Sequence, residues 1–166
     1  MQLVVIAHNI RSIHNVGAIL RTCEGFAVHE FWATGYTPYP VIPSDSRLPH
    51  IRDRQTGQIA KTALGAEKLV RIKHTDDATR LLAQLKSQGF TIAALEQSKQ
   101  SIYLTGYHPP QKLALLLGEE VHGITPELLN LCDVTLEIPM KGRKESFNVS
   151  VAGGIALYAL ATNTQH

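Results

Sequence analysis

Only two cysteines stand among the 166 residues, Cys23 and Cys132. That is too few for a disulfide framework, and they are not spaced as a metal-binding CxxC pair. Both lie in apolar stretches, which predicts buried thiols. No run approaches the roughly eighteen apolar residues that a membrane span needs. The opening MQLVVIAHNIRS turns polar before a secretory signal is complete, so a cytoplasmic chain with no membrane association is expected. No histidine pair has metal-ligand spacing, His8 and His14 included, and no metal is expected. The sequence also lacks a GxGxxG after its first apolar run and any GxxxxGK[ST], which excludes the usual dinucleotide and phosphate loops. Ser146 sits in no GxSxG elbow, leaving a hydrolase triad unsupported. With 18% charged residues and a formal charge of +2, bulk electrostatics identifies no polyanionic partner.

What is present is a 44% hydrophobic composition, typical of a compact globular protein and far from that of a disordered chain. The length suits a single domain over residues 1–166. Lys and Arg outnumber Asp and Glu nine to five in residues 1–75 but trail seven to nine in 76–166. The front half thus offers the more basic surface, with Arg11, Arg47, Arg52, Arg54 and Lys61 placed to meet phosphates. Such charges also serve solubility alone. Tyr36, Tyr39 and Trp32 border a proline-rich stretch and are candidates to stack on exposed bases, although Trp32, inside an apolar run, fits core packing better.

Periodicity predicts six strands interleaved with five helices. The strands fall at 3–7, 30–34, 69–72, 91–95, 112–118 and the VTLEI run; the helices at 16–27, 55–66, the DDATRLLAQLKSQG segment, 125–130 and about 148–162. GYTPYPVIPSDSRLP, with four prolines, reads as a long loop. The unbroken LALLL run belongs near the centre of a parallel sheet covered on both faces. Alternating strands and helices give an α/β sandwich.

Three clusters join small and polar residues at the ends of these elements: Asn15 to Thr22, Gly118 to Gly123, and Ile138 to Asn148. Loops beyond the carboxyl ends of parallel strands form ligand crevices, and glycine lets backbone approach a ligand closely; Gly118 and Gly142 suit that task. Asn15, Ser146 and Asn148 have the alternative of capping helices, and Glu120 that of capping a turn.

Taken together the clusters resemble the motifs of the TrmH/SpoU-type RNA ribose 2′-O-methyltransferases of the SPOUT superfamily. Asn15, Gly17 and Arg21 match the first motif, and Gly118, Glu120 and Gly123 match GxExxG. Ile138 through Asn148 match IPMxGxxxSxN. The resemblance implies a mostly parallel α/β sheet with flanking helices and a C-terminal trefoil knot. It also implies S-adenosylmethionine as cofactor, held by Leu95, Glu96, Gly118, Ile138, Met140, Ser146 and Phe147. Arg21, Asn15, Glu120, Ser146 and Asn148 are the implied catalytic set, with Glu120 holding Arg21 or RNA-facing groups. Arg21 is the candidate to handle the proton, though a guanidinium is a poor base. A homodimer is implied, with arginine from one subunit completing the site of the other. The expected substrate is the 2′-hydroxyl of a ribose in structured RNA, tRNA in preference to rRNA. The alternatives are an inactive RNA-binding protein of the same fold and an enzyme using the same cofactor on a substrate other than RNA. Two departures stand out: Glu119 adds a second carboxylate beside Glu120, and Phe147 replaces a common leucine. Larger relatives often add an RNA-binding segment, so recognition is expected to rely on the loops of the core or on another protein.

Overall fold

A computed structural model describes residues 1–43 and 45–163. Among them lie β1 (Gln2–His8), α1 (Ile13–Gly25), β2 (Glu30–Thr34), α2 (Pro49–Ala63), β3 (Ile72–Thr75) and α3 (Ala78–Ser87). These are followed by β4 (Thr91–Leu95), β5 (Ile102–Tyr103), β6 (Lys112–Leu117), α4 (Pro126–Leu129), β7 (Val134–Glu137) and α5 (Val149–Thr162). The strands form one sheet in the order β3-β2-β1-β6-β4-β7-β5, every neighbouring pair parallel.

The buried runs alternate within themselves. Val4, Ile6, Ile92, Ala94, Ala114 and Leu116 share one hydrophobic cluster with Leu81, Leu82 and Leu85 of α3 and Leu128 of α4. Leu3, Val5, Ala7, Ala93, Leu113, Leu115 and Leu117 share the other, with Ile19 and Leu20 of α1, Ile59 of α2 and Leu157 and Leu160 of α5. A strand sends successive side chains to opposite faces, so a run buried on both faces has no polar phase. β6 lies at the middle of the sheet, where its unbroken leucines place it.

The elements differ from the sequence expectations where polar strands and turns are concerned. The third strand is IKHT, not the more apolar LVRI: Ala66–Lys68 form a 3-10 turn, Leu69 closes it and is 73% exposed. A seventh strand, β5, is two exposed residues at the sheet edge, too short to carry a period. The last of the four prolines, Pro49, begins α2 rather than extending the loop, because proline at the first helical position gives up an N–H that the helix leaves unpaired there. α2 ends earlier than expected, at Ala63, where Leu64 turns left-handed. Ser12 caps α1, accepting from the Asn15 N–H, so Asn15 is not the cap. Thr125 stands at the start of α4 without a side-chain capping bond. Cys23 is buried as expected but Cys132 only half so; burial raises both thiol pKa values, that of Cys132 to about 11. Neither is a ready thiolate at neutral pH.

Candidate active site

Three loops leave the carboxyl ends of the adjacent strands β6, β4 and β7 and converge on a cavity of about 240 Å³. Leu95 ends β4 and Glu96 and Gln97 follow it, Leu117 ends β6 and Gly118 to Gly123 follow it, and Leu136 to Ile138 with Ser146, Phe147, Val149 and Ala152 complete the wall. The loops are tied together. Glu96 Oε2 accepts the Ile124 N–H at 3.1 Å, and Gln97 Nε2 donates to the Glu145 carbonyl at 2.9 Å. Gly123, at φ 69°, passes so close to Glu96 that an added Cβ would meet Oε2 at 2.1 Å. Gly118 is equally constrained, since a Cβ there would lie 2.8 Å from the Gly123 carbonyl oxygen. Gly142 differs: a Cβ there meets no protein atom within 4 Å, so nothing in the chain itself requires glycine at that position.

Beside the cavity the first and third clusters meet the second. Asn15 Nδ2 donates to Glu120 Oε1 at 2.9 Å, and Asn15 Oδ1 accepts from Asn148 Nδ2 at 3.2 Å. A carboxylate accepts only, which fixes the Asn15 amide and in turn that of Asn148. Glu120 also accepts the N–H groups of Arg11 and Ser12, both at 3.2 Å. Burial pushes its pKa up, but the bonds from Asn15, Arg11 and Ser12 outweigh burial and hold it below the usual carboxylate value. Asn148 is at the same time the N-cap of α5, its Oδ1 accepting the Ser150 N–H at 2.8 Å. Capping α5 thus leaves the Asn148 amide nitrogen free to bond Asn15.

Six of the seven residues expected at the cofactor, Leu95, Glu96, Gly118, Ile138, Ser146 and Phe147, line the cavity; Met140 is half-buried and does not. Of the five expected catalytic residues, Asn15, Glu120 and Asn148 form one chain of hydrogen bonds, and Ser146 stands exposed at the rim. Arg21 is apart. It is exposed on α1, does not line the cavity, and has no hydrogen bond or ion pair among the described residues. Within one chain Glu120 holds Asn15 and forms no hydrogen bond or ion pair with Arg21 among the described residues.

A family model described as the SpoU rRNA Methylase family matches residues 2–158. The chain belongs to this family. It is 32% identical over 156 residues to an Aquifex aeolicus protein named tRNA (guanosine(18)-2′-O)-methyltransferase, covering 94% of this chain and 67% of that protein. The crystal structure of the A. aeolicus TrmH/SpoU tRNA modifying enzyme matches it with a TM-score of 0.80 at 29% identity, covering 98% of this chain and 75% of the other. An AdoMet-bound rRNA methyltransferase from Sinorhizobium meliloti shares the fold, with a TM-score of 0.78 at 20% identity over 95% of this chain and 55% of its own. The SpoU chain thus spans about two thirds of that curated relative.

Other residues take places in this SpoU domain that the sequence did not assign. Glu119, noted only as a departure, accepts from the Tyr36 hydroxyl at 2.6 Å and contacts His122 Nδ1 at 2.7 Å, with Arg11 Nη2 at 3.7 Å. The bonds from Tyr36 and His122, with the charge of Arg11, keep its pKa low. Arg47, expected to face phosphates, turns inward instead and is consumed by loop contacts with Asp45, Tyr39, Pro40 and Gln55. Lys141, Arg143 and Lys144, in the half of the chain with the lower net charge, are exposed on the loop between β7 and α5 and form no ion pair among the described residues. A run of three cations within four positions was their visible signal.

Proposed function

We propose that this SpoU-family chain transfers a methyl group from S-adenosylmethionine to a ribose 2′-hydroxyl of RNA, with tRNA as substrate and a homodimer as the working form. The observation that carries the reading is the meeting of the three strand-end loops around one cavity, with the linked amides of Asn15 and Asn148 beside it. The Aquifex relative named for tRNA 2′-O-methylation, matched along nearly the whole chain, supports tRNA over rRNA.

The cavity residues fit the cofactor. At Gly118 a side chain would collide with Ile124 and Gly123, so backbone alone can border a ligand there. Leu117, Leu136, Ile138 and Val149 offer apolar walls for an adenine, and the carboxylates of Glu96 and Glu137 favour a cationic sulfonium. When bound, S-adenosylmethionine supplies a methyl group on positively charged sulfur, open to attack by oxygen. Attack needs the hydroxyl aligned and its proton removed. Asn15 and Asn148, each fixed by the other and by Glu120, present oriented amides to the ribose. Glu120 remains ionised at neutral pH with its oxygens occupied by three donors, which makes it an anchor and not the proton acceptor. Ser146 is placed at the rim to bond a ribose or cofactor hydroxyl.

Arg21 enters from the second subunit in this reading. It stands outside its own cavity, on a helix that packs beside α5, where Thr22 faces Gly154 and Phe26 meets Tyr158 edge to face. α5 exposes Val151, Ile155 and Tyr158, one apolar stripe at helical spacing that a second copy would cover. Beside the ribose the guanidinium charge favours loss of the hydroxyl proton, with an RNA phosphate or water as acceptor. The family's trefoil knot belongs to the same reading, supported by β4 lying between the later strands β6 and β7.

The test is to incubate the purified chain with methyl-labelled S-adenosylmethionine and, separately, unmodified tRNA and rRNA pools, mapping label by nuclease digestion and mass spectrometry. A 2′-O-methylated ribose in tRNA is expected, reduced about 100-fold or more by Arg21→Ala. Label in rRNA alone reassigns the substrate. No transfer to either pool by protein that binds the cofactor overturns the reading: RNA binding then favours an inactive RNA-binding protein, and its absence a substrate other than RNA.

A further inference from the structure

Of the three aromatic residues near the proline-rich loop, two are already engaged. Trp32 is half-buried against the core, its Nε1 donating to Glu30 Oε2 at 3.1 Å and Lys73 Nζ lying 5.0 Å from its ring centre. Tyr39 has the Arg47 guanidinium 3.6 Å over its ring and His74 stacked at 4.2 Å. Tyr36 alone presents its ring, 52% exposed, and yet it is fastened at both ends. Its N–H donates to Asn9 Oδ1 at 3.2 Å, next to Gly35, whose φ of 61° and contact with the same Asn9 oxygen admit no side chain. Its hydroxyl donates to Glu119 at 2.6 Å, and Glu119 is the residue before the Glu120 that anchors Asn15. An aromatic side chain pinned at backbone and hydroxyl and still half exposed has little conformational freedom left to lose when a flat ligand stacks on it.

We propose that Tyr36 is a stacking platform for an unpaired RNA base next to the methylation site, and that Glu119 is the positioning residue that holds its ring. The proposal rests on the RNA-directed reading above and adds to it which side chain takes a base. Arg11, 63% exposed at its side chain and 3.7 Å from Glu119, sets a cation at the same edge for the neighbouring phosphate. The second carboxylate beside Glu120 then has a use: it is turned toward Tyr36, His122 and Arg11 and does not face the RNA as an unpaired charge.

The probe is a short single-stranded oligoribonucleotide carrying one 2-aminopurine, whose fluorescence is quenched on stacking. Wild-type protein is expected to quench it, and Tyr36→Ala to abolish the quenching and weaken binding about ten- to a hundred-fold, the usual cost of removing one base-stacking ring. Tyr36→Phe keeps the ring and loses only the tie. Glu119→Ala weakens the oligonucleotide several-fold in the wild-type background and by less in Tyr36→Phe, because the two variants share the Tyr36 bond while Glu119 also holds His122 and Arg11. Glu119→Gln, which keeps an acceptor for the hydroxyl, restores the affinity. In the methylation assay on the tRNA pool, Tyr36→Ala raises KM by the same factor with kcat and cofactor affinity changed by less than about threefold. Thermal melting of each variant identifies any that fails to fold; if Tyr36→Ala is one, Tyr36→Leu, which removes the ring and keeps an apolar side chain, decides by its loss of quenching. Absence of quenching by wild type, or quenching that survives loss of the ring, overturns the platform while leaving methyl transfer intact. Quenching that depends on Tyr36 in a protein that methylates no RNA upholds the platform and removes the proposed reaction.

Discussion

A guanidinium has five N–H donors, and in Arg47 all five are taken. Nε and one Nη bond the two oxygens of Asp45, and the others reach the carbonyls of Tyr39 and Pro40 and Oε1 of Gln55. Those partners run from one end of the proline-rich loop into α2, so a single side chain fixes a segment that has no regular hydrogen bonding of its own. Lysine offers three donors on one point and cannot bridge these acceptors together. Arg47→Lys should therefore lower the stability of the loop by about 1–3 kcal/mol, read as faster amide exchange and proteolysis across residues 37–48. The partner supplies a pH test. Hydrogen bonding from Arg47 lowers the Asp45 pKa from 3.8 to about 2. A depressed acid contributes stability that is complete above its unfolded pKa and lost as pH falls through its folded one. Loop protection should hold down to about pH 4 and decline between there and about pH 2; protection unchanged to pH 2 would remove Asp45 from the account. None of this was legible in the sequence. Arg47 reads there as one more loop cation, because two of its five bonds go to backbone carbonyls that every residue carries and the others to side chains that no pattern singles out.

At the scale of elements, the motif glycines divide by what stands opposite them. Gly17 was read as part of a ligand-facing motif, but its missing Cβ makes room for α2: a Cβ would lie 2.0 Å from Thr62 Oγ1 and 2.5 Å from the Ile59 carbonyl oxygen. Replacing a mid-helix glycine by alanine ordinarily stabilises by about 1 kcal/mol. At Gly17 the overlap with backbone, which cannot rotate away, should reverse the sign and cost about 1–3 kcal/mol, seen as a lower Tm. Gly57, on α2 with nothing within 4 Å of an added Cβ, is the control, and Gly57→Ala should raise Tm. If both substitutions stabilise, the two helices are not in the close contact described. The contrast shows why the fold was largely readable and its close contacts were not. Strands β4 and β6 and the cap of α5 follow from local pattern, namely apolar runs and an asparagine before a helix. β3 and β5 follow from their neighbours, since three of the four residues of 72–75 are polar and 102–103 is exposed, and only the sheet edge recruits them. The line of Asn148, Asn15 and Glu120 spans 133 residues of sequence, so its members were nameable by motif while their hydrogen bonds were not.

At the scale of the whole molecule, the candidate catalytic residues fall into two places. The cavity, Asn15, Glu120 and Asn148 lie together in one chain, whereas Arg21 has no partner among the described residues and stands off the cavity. If a second copy supplies that arginine, damage to the two parts of the site can be separated onto different subunits. Arg21→Ala and Asn148→Ala should each be nearly inactive alone. When the two proteins are mixed and allowed to exchange subunits, half of the dimers become mixed, and in each mixed dimer one site inherits both lesions and the other neither. Activity should therefore return to about a quarter of the wild-type value per subunit, as random pairing in a two-fold symmetric dimer requires. Tyr158→Glu, which puts a charge on the apolar stripe of α5 well away from the cavity, should yield monomers by light scattering and abolish the recovery. Methyl transfer into tRNA measured against mixing time checks both statements. Recovery that never exceeds the sum of the two separate variants would place Arg21 and Asn148 in the same subunit's site, and the exposed stripe on α5 would then need another explanation.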